Sequence, residues 1–365
     1  MDQMTRPIIT LGAVSHGRDN NLLLLRMLAA SAVVYGHAFG YTQHTVSEPF
    51  NHIFGIGVGD VGVDAFFIVS GFLIAKSFVR KDLISFAWAR IMRIFPALWV
   101  STGVLILVIG LFFTPLPARE FWLRHDTLTY IGKNATMLPG IGFQSHLPFA
   151  FDRVTSNFNE SLWTLPLELL MYLLLALVGV CGLLRRPFTA IALMLFGGCA
   201  FAIGVLGWAH LMDVDRARFI FLFFSGTTFY LLRDRVPMRG SLALAGVVLC
   251  IVAALATTNH AIHRLVLAAA LPYAVLWLSF VPAGPIRRYN ALGDYSYGTY
   301  ILAGPIQVWL ALHESSPLLN LVWTLLLVVP LAALSWHFLE SRALAIGLPG
   351  PLRWIRRGKD EAPAN

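Results

Sequence analysis

Apolar stretches of about 20 residues, each near the length that crosses a ~30 Å hydrocarbon core at ~1.5 Å rise per residue, recur from residue 21 to residue 338. In lipid the backbone must satisfy its own polar groups, and runs of this length do so as helices. Hydropathy places them at about 21–40, 58–78, 94–114, 161–183, 188–207, 217–233, 240–258, 262–281, 291–312 and 317–338. The expected fold is therefore an all-α integral membrane protein, a bundle of about ten transmembrane helices with a long outside loop between the third and fourth. With 57% hydrophobic and 13% charged residues, little is left for a separate soluble domain. Residues 1–20 read as a cytoplasmic N-terminal segment, 21–338 as the transmembrane domain and 339–365 as a basic cytoplasmic tail. The first apolar run contains Arg26 and His37, unlike a cleavable signal peptide, so it is expected to stay as the first helix.

The net charge of +8 orients the chain rather than pointing to nucleic acid. With the N-terminus inside, the inside segments hold 20 of the 27 basic residues and the outside segments 7, which puts both termini on the cytoplasmic side of the membrane. Cys181, Cys199 and Cys250 show no CxxC spacing and read as small buried hydrophobes, with neither a disulfide framework nor a metal site indicated. The outside connection over about 115–160 is interrupted by Pro115, Pro117, Pro139 and Pro148, and its aromatic content predicts interfacial or re-entrant helices.

Ionisable residues at membrane depth are costly unless they face a cavity or a partner, so they carry the functional signal. Arg26 and His37 stand eleven residues apart on the first helix, ~20° past three full turns and ~16.5 Å along the axis, and so share a face. A snorkelling arginine and a core histidine bonded to a carbonyl would share that spacing. Arg90 and Arg93, at i and i+3, open the third predicted helix on one face and suit an anion. Topogenic charge alone would also place arginines there. In the fourth, Ser161, Thr164 and Glu168 form one polar stripe beside Trp163 and Pro166, and the partner expected for Glu168 is an arginine of the third helix or His37. On the second, Gly57, Gly59, Gly62, Ser70 and Gly71 suit close helix packing, and Asp64 near its outer end reads first as a cap.

Taken in order, NNLLLLRMLAASAVVYGHA, GVDAFFIVSGFLI, ARIMRIFPALW, NESLWTLPLELLMY, FLFFSGTTFYLLRDRVP, LGDYSYGTYILAGPIQ and a closing FLE resemble the acyltransferase 3 family, bacterial multi-pass transferases that acylate sugars and related acceptors. The resemblance spans nearly the whole chain. It implies an acyl-CoA co-substrate, commonly acetyl-CoA, a carbohydrate or glycolipid acceptor and no metal. It matches His37 to the family's essential histidine, Arg26 to the arginine of the same motif, Arg90 and Arg93 to its Arg-x-x-Arg pair, and Glu168 to the acid after the Ser-Leu-Trp-Thr-Leu signature. Two departures bear on acceptor choice. Glu160 stands where the family often has glycine, and Ala303-Gly304 where many members carry histidine.

The expected function is O-acyl transfer from cytoplasmic acyl-CoA to a carbohydrate hydroxyl of a cell-surface polysaccharide, lipopolysaccharide or glycolipid. His37 would act as general base or carry the acyl group, and Glu168 would position it or the acceptor. Arg26, Arg90 and Arg93 would hold the donor phosphates, with Ser161, Trp163, Thr164, Asp64 and Ser70 as acceptor or positioning residues. A proton-coupled transporter or flippase would also use buried His, Arg and Glu, but the sequence shows no matching halves with broken helices.

Overall fold

The structure, a computed structural model, describes residues 9–17, 19–43, 48–138, 159–209 and 211–349. All ten expected segments are helical. The first three are α1 (Leu22–Gln43), α2 (Val58–Arg80) and α3 (Leu83–Val108), and two short helices follow in the long connection, α4 (Ala118–Leu123) and α5 (His125–Thr136). Next come α6 (Thr164–Val180), α7 (Pro187–Val205), α8 (Val214–Leu231) and α9 (Gly240–Ala256). The last three are α10 (His260–Phe280), α11 (Ser296–Ala311) and α12 (Pro317–Ser335). Among the described residues, seven spans are long and apolar enough to cross a membrane: α1, α2, α3 with its extension to Phe113, Glu160–Val180, α7, α10 and Pro317–Ala345. The other three expected crossings are shorter or more charged: α9 and α11 have 17 and 16 residues, and α8 begins with Asp215, Arg216 and Arg218. The fold is thus an all-α multi-pass membrane protein, with seven crossings supported by length and composition.

α3 starts eleven residues before the hydropathy boundary, because the Asp82 carboxylate accepts the Ser85 N–H at 2.9 Å and caps charged turns that hydropathy passes over. Arg90 and Arg93 therefore lie about two and three turns inside the helix rather than at its opening. Pro166 comes early in its helix. It falls in the first turn of α6, after the 3-10 turn Glu160–Trp163, where a missing N–H costs no helical bond.

α2 is the central helix: 67% of its most apolar stretch is buried, against 22–33% in the other spans. It packs on α1 and α8, while α11 packs on α1 and α12. The α2 and α8 backbones meet at reciprocal glycines. A Cβ on Gly71 would lie 1.9 Å from the Phe223 carbonyl oxygen, and one on Gly226 would lie 2.1 Å from that of Ile68. Backbone cannot yield like a side-chain tip, so Gly71→Ala or Gly226→Ala is expected to destabilise by about 1–3 kcal/mol or more. A lower Tm and a loss of monodisperse protein in detergent would register this, whereas wild-type melting would show that the crossing is loose.

α3 continues through a π turn, Ile109–Phe113, and the chain then doubles back. Trp99 Nε1 donates to the Ala135 carbonyl at 2.8 Å, which sets the end of α5 beside the middle of α3. The buried face of α5 carries Thr127, Tyr130 and Asn134. The remainder of that connection, 139–158, lies outside the described residues. The cysteines correct another expectation, since Cys181 and Cys199 are exposed on the helix surface and Cys250 is half-buried. A thiol is apolar enough to face lipid tails as readily as a protein core.

Candidate active site

Four charged residues from distant parts of the chain meet at the end of the bundle that carries most of the basic residues. Arg26 projects from the second turn of α1 and Arg93 from α3. Asp294 stands just before α11, and Glu340 closes a π turn, Trp336–Glu340, that follows α12. The Asp294 carboxylate accepts from Arg26 Nη1 at 2.7 Å and from Arg93 Nη2 at 2.6 Å, both on Oδ2. Its other oxygen accepts from the Ser296 N–H and hydroxyl. Glu340 pairs with Arg93 at 3.3 Å and accepts from Ser335 at 2.9 Å. The extra residue per turn of a π segment changes the azimuth of the residues after it, and here Glu340 faces the bundle. Both carboxylates are buried, so each guanidinium has a counter-ion at depth.

Above this group opens a cavity of about 1160 Å³ lined by Arg26, Arg80, Lys81, Arg90, Arg93 and Asp294, together with Trp88, Trp336 and the segment 344–348. Trp88 Nε1 donates to the Ile346 carbonyl at 3.0 Å and ties that segment across the mouth. A space this large exceeds what a simple metabolite fills and accommodates a nucleotide-sized group.

Arg26 also lines a second, inner cavity of about 50 Å³, with Ser70, Thr164, Glu168, Tyr297 and Tyr300. Glu168 accepts from the hydroxyls of Ser70, at 3.0 Å, and of Tyr172. Its direct partners are therefore hydroxyls, not the arginine or histidine expected from sequence. Thr164 and Tyr300 share a 2.6 Å hydrogen bond across the α6/α11 contact.

His37 lies further along α1, half-buried, with its ring centroid 5.8 Å from that of Tyr41. The carboxylates acting on it are Glu160 and Asp60. The side-chain amide of Gln307 donates to the Val34 carbonyl at 2.7 Å, one turn before His37, and so fixes α1 against α11. Nearby, Asp64 is not a cap: it is buried and pairs with Arg218 at 3.2 Å. The capping role belongs to Asp60, which accepts the Gly57 N–H at 3.1 Å and also reaches Arg218 at 3.6 Å. Ser161 is buried, and the Trp163 ring lies 5.6 Å from that of Phe219.

The fold thus gathers Arg26, Arg90 and Arg93 at one cavity and Ser70, Thr164 and Glu168 at the next, with His37 beyond both. Asp294, Glu340, Tyr300 and Arg218 were not singled out from sequence. The available signal was a shortage of acids to match the buried arginines. Among the described residues, no group of three or more His, Cys, Asp or Glu is arranged to hold a metal ion.

Over residues 19–339 the chain matches the acyltransferase 3 family, described as an acyltransferase domain. An O-acetyl transferase of Shigella phage Sf6 is 28% identical over 342 residues, covering 89% of this chain and 96% of that one. Nodulation protein 10 of Rhizobium leguminosarum bv. viciae is 32% identical over 173 residues, 45% of each chain. No solved structure matches. The family match takes in every helix from α1 to α12, and the chain belongs to the acyltransferase 3 family, an enzyme that transfers acyl groups other than aminoacyl groups.

Proposed function

We propose that the protein moves an acyl group, in the first instance acetyl, from acyl-CoA bound in the large basic cavity to a hydroxyl of a carbohydrate on a glycan or glycolipid. One observation carries this reading: a nucleotide-sized basic cavity and a half-buried histidine occupy the two ends of one helix, ~16.5 Å apart along α1, with the inner polar cavity at Arg26 between them. A pantetheine arm threaded past Arg26 would bring the thioester from the first toward the second. His37 takes the proton from the acceptor hydroxyl as its oxygen attacks the thioester carbonyl. The C–O bond forms, the C–S bond breaks with its electron pair on sulfur, and the leaving thiolate takes a proton from the imidazolium. A variant of the scheme has the imidazole attack first and carry the acyl group to the acceptor. Glu168, with Ser70 and Tyr172, lines the passage and holds its hydroxyls in place. Asp64 with Arg218, and Ser161, Trp163 and Thr164, flank the acceptor end.

Purified protein in detergent with radiolabelled acetyl-CoA tests the reading, with thioester hydrolysis or transfer as the expected result. Intact thioester at all enzyme concentrations, with and without lysate glycan, would count against it.

The donor side follows from charge, with the basic end in the cytoplasm. In a background with the three native cysteines replaced by alanine, Thr258→Cys and Ser315→Cys should react with an impermeant thiol reagent added outside. Arg185→Cys, Arg235→Cys and Arg288→Cys should stay protected until the membrane is opened. The reverse pattern would invert the protein and move donor binding to the far side.

A further inference from the structure

The basic cavity divides its cations into two sets. Arg26 and Arg93 are already neutralised, bonded at 2.6–3.3 Å to the buried carboxylates of Asp294 and Glu340. Arg80 at the end of α2, Lys81 just after it and Arg90 on α3 form no ion pair with any described carboxylate. Asp82 is the other acid on the wall, and both its oxygens accept from Ser85. Arg90 lies over the Phe86 ring, 5.9 Å from its centroid, and its buried Nε has no hydrogen-bond partner among the described residues. The cavity wall therefore carries five basic and two acidic side chains, and the excess charge sits on the Arg80–Lys81–Arg90 side.

We propose that Arg80, Lys81 and Arg90 are the residues that grip the donor's phosphates, and that they select a nucleoside diphosphate bearing a further 3′-phosphate. Arg26 and Arg93, clamped by Asp294 and Glu340, shape the floor past which the thioester arm runs. The assignment rests on the donor reading of this cavity. Its physical reason is desolvation. A phosphate approaching Arg93 must displace a carboxylate already bonded there, whereas one approaching Arg80, Lys81 or Arg90 gains charge-assisted bonds to groups paired with no described carboxylate. The indole rings of Trp88 and Trp336 on the same wall offer flat apolar faces for the base.

Direct binding of CoA and of dephospho-CoA to the full-length protein in detergent tests this, measured for wild type, for Arg80→Gln with Lys81→Gln, for Arg90→Gln and for Arg93→Gln. Wild type should prefer CoA. The Arg80→Gln/Lys81→Gln protein should bind CoA roughly 10- to 100-fold more weakly and lose the preference over dephospho-CoA, with an unchanged melting temperature because both side chains are exposed. Arg90→Gln should weaken both ligands. Arg93→Gln should lower the melting temperature and leave the CoA to dephospho-CoA ratio intact. If the double variant binds both ligands as wild type does, or Arg93→Gln alone erases the ratio at unchanged stability, the assignment is overturned while the donor reading stands. If wild type binds neither CoA nor adenosine 3′,5′-bisphosphate at millimolar concentration, the donor reading itself fails.

Discussion

Replacing His37 with alanine is expected to abolish acyl transfer while leaving expression, monodispersity and melting temperature close to wild type. A free imidazole titrates near pH 6.5, which makes histidine the natural proton acceptor for a hydroxyl at neutral pH. A general base contributes ~10²–10⁴-fold to rate and a nucleophile more, so either role predicts loss of measurable turnover. The fold gives a reason for stability to survive. Among the described residues, no hydrogen bond or ion pair ties the ring to a neighbouring helix, and α1 is held at this level by Gln307 on the Val34 carbonyl and by the Gly36 contact with Gly59. His37→Gln separates geometry from chemistry, because glutamine still forms hydrogen bonds but takes no proton. A glutamine variant that transfers at near wild-type rate makes His37 structural and removes the mechanism. An inactive variant that still binds CoA with wild-type affinity places the defect after donor binding.

The second large effect belongs to Asp294. Asp294→Asn removes the one buried charge that two half-buried guanidiniums share. Arg93 keeps Glu340, but Arg26 loses the carboxylate with which it is paired. Removing one partner from an ion pair at this depth costs up to about 3–5 kcal/mol, which predicts a marked fall in melting temperature. Adding Arg26→Met to Asp294→Asn should recover part of the stability, because the cation left without a counter-ion is gone. Near wild-type melting of the single variant, or a double variant that is worse than additive, would mean that Asp294 is not what holds the arginines.

The helices were legible because apolar runs of spanning length announce themselves, and His37, Arg26 and Glu168 because an ionisable residue inside such a run is conspicuous. The start of α3 was not. Its first turns, LISFAWAR, dilute hydropathy, and Asp82 with Ser85 was the cap signal to weigh instead. Asp64 was assigned the cap that Asp60 makes, since both lie near the same helix end and both reach Arg218; only the Gly57 N–H bond of Asp60 and the burial of Asp64 separate them. Glu168 was expected to meet a charge, yet hydroxyls from its own helix and from α2 satisfy it. Asp294 and Glu340 stayed hidden for a different reason. Acids at helix ends are ordinary, and their partners stand 201 to 268 residues away in the chain. The set at Arg80 and Lys81 was not singled out from sequence and became distinct only once the carboxylates of the cavity were located.

That separation along the chain shapes how the protein is made. Arg26 enters the bilayer 268 residues before Asp294 is synthesised, and Arg93 precedes its nearer counter-ion by 201. At ~5–20 residues per second, the nascent chain holds an uncompensated arginine in its first helix for roughly 15–50 s. Arg26 sits four residues after Leu22, the first residue of α1, within reach of the headgroup layer, where it can extend toward water until its partner arrives. Each arginine in the clamp is thus a provisional tenant of the membrane surface, drawn inward when the last third of the polypeptide is inserted. A ribosome stalled before residue 294 would leave a bundle whose early helices are in place and whose charges are still at the interface.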